Sequence, residues 1–222
     1  MSNREYEIVV QNSHINMNEM KKRIKKIGAT LVQKETLFYY IVYTHPLKKK
    51  NYFIRIRFEG KHYTMTVKDY TNKKYPLEYE IIINSLEHGN KILLNLGCEK
   101  KYEIHKLRET WKIKGCHEIV FDTYPGAETY AEIECDNLKN IQNVLKKIGL
   151  STDLNKYPRL FMSQYYLDTY GIPKLKLNKD LTFKSAYKIL YKKATKNKSL
   201  LKKRLDCVNK KHKKEINALK NK

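Results

Sequence analysis

The chain has 222 residues, 41% hydrophobic, 11% aromatic and 31% charged, with a mean hydropathy of -0.70. This is one large domain or a medium domain with an appendage, and 18 Tyr, 6 Phe and 1 Trp are too many for a disordered chain. The net charge of +23 is uneven: residues 174–222 carry 18 Lys and Arg against Asp180, Asp206 and Glu215, an excess of 15 that leaves +8 for the first 173 residues.

No apolar run approaches the roughly 18 residues of a membrane span, and the charged start MSNREYE does not read as a secretory signal. Cys98, Cys116, Cys135 and Cys207 form no Cys-x-x-Cys pair, which points away from a zinc site or a disulfide framework and toward ordinary thiols in a reducing, cytoplasmic setting. Lysine outnumbers arginine 39 to 7, the bias AT-rich codons produce, so part of the basicity is compositional. A tail this basic still suits a polyanion such as a nucleic acid, with a merely solvated appendage as the alternative.

In chain order, period-two alternation with β-branched and aromatic residues predicts strands over residues 4–11, 37–44, 52–59, 62–69, 77–84, 102–114, 117–124 and 129–135. Turns at Gly60-Lys61 and at Lys114-Gly115-Cys116 separate neighbouring runs. Asn16 is placed to cap a helix with Met17, Met20, Ile24 and Ile27 on one face, ending at Gly28. Asp136 or Asn137 caps a second, carrying Leu138, Ile141, Leu145 and Ile148 and stopping at Gly149. The endings KRIKKIG and VLKKIG echo each other, a hint of two similar halves. A third helix is predicted over 159–170; Gly171-Ile172-Pro173 then breaks the chain and divides a body, 1–173, from a Lys-rich helical extension, 174–222. The extension turns helical near Thr182, breaks near 196–199 and has a thin apolar stripe of Leu200, Leu201, Leu205, Val208, Ile216 and Leu219. Packing on the body and a solvated helix are both open.

The expected fold is α+β: an eight-stranded antiparallel sheet closed into a barrel or tunnel and covered by helices, with the basic helical appendage. What alternates along the strands is unusual. Glu5 and Glu7 oppose Tyr6, Ile8 and Val10; Arg55 and Arg57 oppose Ile54, Ile56 and Phe58. Thr64, Thr66 and Lys68 oppose Tyr63, Met65 and Val67, and Glu78 and Glu80 oppose Leu77, Tyr79 and Ile81. Lys106 and Arg108 share a face, as do Glu132 and Glu134. One parity of a strand faces one side of the sheet, so six strands turn ionic groups to a single face. A solvated surface would mix the signs, whereas here they are segregated by strand, and the apolar parity needs cover that the helices supply. The charged parity therefore lines the interior.

Five cations there, Arg55, Arg57, Lys68, Lys106 and Arg108, suit a ligand with several phosphates. Paired carboxylates nearby would repel it unless a divalent metal lies between, and oxygen-only ligands select Mg²⁺ or Mn²⁺. That is equipment for phosphoryl transfer.

At these positions the sequence resembles the CYTH domains, the triphosphate tunnel metalloenzymes that include class IV adenylate cyclases and thiamine, inorganic and RNA 5′-triphosphatases. EYEIV (5–9), YFIRIR (52–57), YTMTVK (63–68), EYE (78–80), KLRETW (106–111), FDTYPG (121–126) and YAEIE (130–134) carry the resemblance across residues 4–170. It implies that Glu5, Glu7, Glu132 and Glu134 hold metal, that Arg55, Arg57, Lys68, Lys106 and Arg108 hold phosphates, and that Glu80 and Asp122 assist metal or water. The family's first motif is Glu-x-Glu-x-Lys, and Val9 stands at the lysine position.

Seven histidines show no ligand spacing, and Trp111 reads as a packing residue. The function expected is metal-dependent hydrolysis of the terminal phosphate of tripolyphosphate, a nucleotide, thiamine triphosphate or an RNA 5′-triphosphate end. The alternatives are an adenylate cyclase and a protein that binds polyphosphate or RNA ends without turnover.

Overall fold

The computed structural model describes residues 6–48, 51–71, 76–173 and 180–218. Its strands are β1 (Tyr6–Val10), β2 (Thr30–Thr44), β3 (Tyr52–Phe58), β4 (Tyr63–Asp69), β5 (Leu77–Ile83), β6 (Glu99–Lys112), β7 (Cys116–Thr123) and β8 (Tyr130–Cys135). They form one antiparallel sheet in the order β1-β8-β7-β6-β2-β3-β4-β5. All eight predicted strands are present. The strict barrel closure expected is not: among the described residues no ladder joins β1 to β5, and the sheet curls into a trough with these two strands as its open edges.

Helices cover the outer, apolar face. Helix α1 (Met17–Lys26) is capped by the Asn16 side chain, which accepts from the Asn18 and Glu19 amides, and α3 (Leu138–Lys147) by Asn137. Both pack with β1, β7 and β8 in one core that includes Met20, Ile24, Ile133, Ile141 and Leu145. Helix α2 (Leu86–Asn95), capped by Ser85, is not among the predicted elements; Gly89-Asn90 in its middle reads as a turn. Leu93 of α2 covers Ile41, Ile54 and Ile56.

Helix α4 (Met162–Tyr170) ends at left-handed Gly171, as the sequence predicts. After it, α5 (Lys198–Lys211) and α6 (Lys213–Ala218) follow a π-helical turn, Tyr187–Tyr191, with left-handed Asn197 at the expected break. The described part of the extension is packed, not solvated. Leu181 exchanges backbone hydrogen bonds with Glu103 and His105 of β6, Phe183 and Ile216 join Leu37 and Leu107, and Leu201 and Leu205 are fully buried. Gly126 lets this happen: at φ 74° it has no Cβ, and one would strike the Leu201 side chain. Leu219 lies outside the described residues.

The cysteines need a correction. Cys116 and Cys135 form a disulfide, not the unpaired thiols expected; pairing β7 with β8 sets the two directly opposite one another, which their separation of 19 residues does not reveal. Cys98 is buried and Cys207 exposed. The absence of a disulfide was one ground for a reducing compartment, and that ground is gone. No helix among the described residues is long and apolar enough to cross a membrane.

Candidate active site

Strand order sorts the charges. Glu7, Glu132, Glu134, Glu118 and Asp122 occupy β1, β8 and β7; Lys106 and Arg108 follow on β6; Arg55, Arg57 and Lys68 lie on β3 and β4; Glu78 and Glu80 close the far edge on β5. Curling brings both acidic edges around a basic wall. All of these except Asp122 line one cavity of about 420 Å³, with Arg159 from the segment before α4. Glu5 lies outside the described residues.

The basic wall is held in two groups. On one side, Arg55 reaches Glu78 at 3.4 Å and Lys68 reaches it at 2.8 Å. Arg57 pairs with Glu59 and lies 3.3 Å from Glu80, whose carboxylate also accepts a 2.6 Å hydrogen bond from Thr66 Oγ1. The Nε of Arg57 is buried with no partner among the described residues. On the other side, Asp122 is wholly buried beneath the cations: Lys106 Nζ donates to it at 2.6 Å, and Arg108 donates twice, at 2.7 and 2.6 Å. Phe38 lies between the groups, its ring 5.8 Å from the Arg57 guanidinium and 5.7 Å from that of Arg108.

The electrostatics follow. Burial works to raise the Asp122 carboxyl, but Arg108 and Lys106 outweigh it and hold it at about 2. Burial, with Arg108 beside it, pushes the Lys106 ammonium down to about 8. Asp122 is thus the counter-ion that keeps Lys106 and Arg108 charged and aimed. Asp122→Asn should cost about 3–5 kcal/mol of stability, because two buried cations lose their main partner. Urea unfolding measures it, and an unchanged midpoint would place Asp122 outside the network.

The acidic side carries the reverse imbalance. Register sets Glu134 opposite Glu7 on one neighbour and opposite Glu118 on the other, three carboxylates in a row across β1, β8 and β7. Like charges directly opposite are unfavourable. No hydrogen bond or ion pair reaches Glu134 among the described residues, and burial together with Glu118 pushes its carboxyl up to about 7. Glu132, 3.0 Å from Arg108, is raised chiefly by burial and Asp122. Val9 shares the parity of Glu7, is 5% exposed, and faces Glu132 across the ladder.

Sequence reasoning does not single out Glu118, Glu59 or Arg159. Glu59 continues the parity of Arg55 and Arg57, and Glu118 that of Asp122, so the same rule finds both. Arg159 is the first residue of the helix predicted over 159–170, but that helix begins only at Met162 and Arg159 lies in the loop before it. Its guanidinium donates to the Tyr70 hydroxyl at 3.0 Å, stacks on that ring at 4.9 Å and approaches Glu7 at 3.9 Å, linking the β1 edge to the residue that follows β4.

The CYTH domain profile matches residues 3–166. The chain belongs to the CYTH family. Among solved structures, this CYTH chain is similar to a candidate adenylate cyclase of Vibrio parahaemolyticus, with TM-score 0.61 and 15% identity over 74% of this chain and 98% of that one. It is similar to the PH1819 protein of Pyrococcus horikoshii OT3, with TM-score 0.55 and 23% identity over 74% and 98% of the two chains. The same holds for a conserved protein of Pyrococcus furiosus, with TM-score 0.56 and 21% identity over 71% and 98%. At these identities the likeness speaks for the fold. A search among curated proteins gives no match. CYTH proteins are enzymes, triphosphatases or cyclases, and are metal-dependent in general.

Proposed function

We propose that this CYTH protein is a metal-dependent triphosphatase that removes the terminal phosphate of a triphosphate substrate held in the trough. The observation that carries the reading is the gathering of Arg55, Arg57, Lys68, Lys106 and Arg108 around one cavity, with the Nε–H of Arg57 buried and without a partner among the described residues. Each cation is balanced by a carboxylate at its side or beneath it, so an incoming polyphosphate competes for donors already fixed in place. Binding then costs little reorganisation.

The acidic row fits a hard divalent cation in its donor chemistry: oxygen-only, adjacent, and in Glu134 carrying a carboxyl that burial and like charge keep from ionising readily. No three such groups have already converged among the described residues, so this is a fit of donor type rather than a finished cage. Glu7, Glu132 and Glu134 would hold Mg²⁺ or Mn²⁺, with Glu5 beside them in sequence and Glu118 as an added donor. The ion would supply neutralisation of phosphate oxygens and activation of water. Arg55, Arg57 and Lys68 grip one end of the polyphosphate, and Lys106 and Arg108, braced by Asp122, grip the other. Glu80 is the most open of the carboxylates facing the cations, with a side chain 33% exposed, and in this reading it orients the attacking water and accepts its proton.

A cyclase would use the same wall with a purine pocket. ATP separates the two: hydrolysis gives ADP and phosphate, cyclisation gives cyclic AMP and pyrophosphate. The reading here expects the first pair, and cyclic AMP as main product would replace it.

Val9→Lys probes the same geometry. Because Val9 shares the parity of Glu7 and pairs with Glu132, a lysine there has an acidic neighbour and need not disrupt the outer core. The variant should fold, with turnover altered by no more than about tenfold, or about 1.4 kcal/mol. Loss of folding would show Val9 to be core and break the parity on which the trough rests.

A further inference from the structure

The lysines after residue 180 take no part in the triphosphate site, and packing of the extension fixes where they face. Leu201 of α5 sits against Gly126, Arg204 pairs with Glu128, and Lys211 pairs with Glu35 at 2.6 Å, so α5 runs along the outside of the sheet from the β7–β8 turn to the first residues of β2. Its buried residues, Leu201 and Leu205, are used up in this packing. Lys184, Lys188, Lys192, Lys196, Lys202 and Lys203 are all exposed, while Ala186, Ile189, Leu190 and Ala194 between them are buried.

Only three acids accompany these lysines in the described extension, and each has another partner. Asp180 accepts from the Glu103 amide at 2.7 Å, Asp206 from the Tyr187 hydroxyl, and Glu215 meets His212 at 3.0 Å. None of the six lysines pairs with an acid among the described residues. Tyr191 offers a partly open ring among them, with Lys198 Nζ 6.0 Å from its centroid. Leu200 is the single large apolar side chain exposed on the described extension, so there is no apolar face to enter a bilayer. Lysines tracking a backbone, with an aromatic ring for a base, are what single-stranded nucleic acid engages.

We propose that this face of residues 182–214 docks single-stranded RNA, and that the strand it holds presents a 5′-triphosphate to the trough. The second clause rests on the triphosphatase reading; the first does not.

The test uses the full chain, a 3′-labelled single-stranded RNA with a 5′-hydroxyl, and anisotropy across a salt series. Replacing Lys184, Lys188, Lys192 and Lys196 with Gln should lower the slope of log affinity against log salt by about 0.7 for each phosphate the variant no longer engages. Tyr191→Leu should weaken RNA binding by roughly fivefold or more, the low end of one stacked base, and leave binding of an inorganic polyphosphate chain unchanged. The quadruple variant should keep wild-type turnover of tripolyphosphate and lose roughly tenfold in kcat/KM on 5′-triphosphate RNA. An unchanged slope and affinity in that variant overturns the docking surface. So does lysine-dependent binding to phosphatidylserine vesicles with none to RNA, which would make the partner a membrane. A chain that binds RNA through these lysines but hydrolyses no triphosphate keeps the surface and removes the triphosphatase reading; one that hydrolyses tripolyphosphate but ignores RNA does the reverse.

Discussion

Glu134→Gln is expected to lower metal-dependent turnover by on the order of 100-fold or more, while leaving the metal-free fold as stable as before or more so. The two halves of that result have one cause. Glu134 stands between Glu7 and Glu118 with no ion pair among the described residues, which leaves its charge open to a bound cation. The sign in pH follows. With its carboxyl raised from the ordinary 4.5 to about 7, the folded protein holds a proton that the unfolded chain has released. Metal-free stability therefore falls as pH rises through that window, by up to about 1.4 kcal/mol per pH unit, less in proportion to the solvent that reaches the group. Gln, neutral throughout, flattens this slope. Thermal melting in chelator from pH 5 to 8 measures it, and equal slopes in the two proteins would remove the charged row from the account.

Arg57→Ala should cost about 2–4 kcal/mol of transition-state stabilisation in kcat/KM on a triphosphate substrate. Arg57→Lys should recover only part of this, because a point charge cannot make two parallel contacts with a phosphate. The alanine variant also leaves Glu59 and Glu80 without their shared cation, so its melting temperature must be read beside its kinetics. A protein that folds with Arg57→Ala and turns over at the wild-type rate would place this guanidinium outside the reaction.

Much of this site is legible in the sequence, because strands repeat every two residues and ionic groups on one parity identify a lined interior. The same rule reaches Glu59 and Glu118 once Val120 is allowed as an apolar member of a charged face. Other features depend on partners that periodicity does not name. Asp122 is a counter-ion because two cations of β6 close over it, which only the β6–β7 register reveals. The Cys116–Cys135 bond needs the β7–β8 register in the same way. The first half of β2, residues 30–36, escapes the pattern because ladder irregularities between Leu31 and Thr36 break its alternation and leave Val32 exposed. Helix α2 escapes it because Gly89 reads as a turn, whereas a Cβ there would press on the Ile83 side chain at 2.6 Å, so the close approach of α2 to the sheet favours glycine.

The charged inner face is expected to work on a triphosphate with a divalent ion. The most direct measurement is phosphate release from a panel of tripolyphosphate, ATP, thiamine triphosphate and 5′-triphosphate RNA, each with Mg²⁺, with Mn²⁺ and with chelator. The predicted result is release of one terminal phosphate from at least one member, present with either metal and lost in chelator. No release from any member with either metal would contradict it and leave a protein that binds polyphosphate without turning it over.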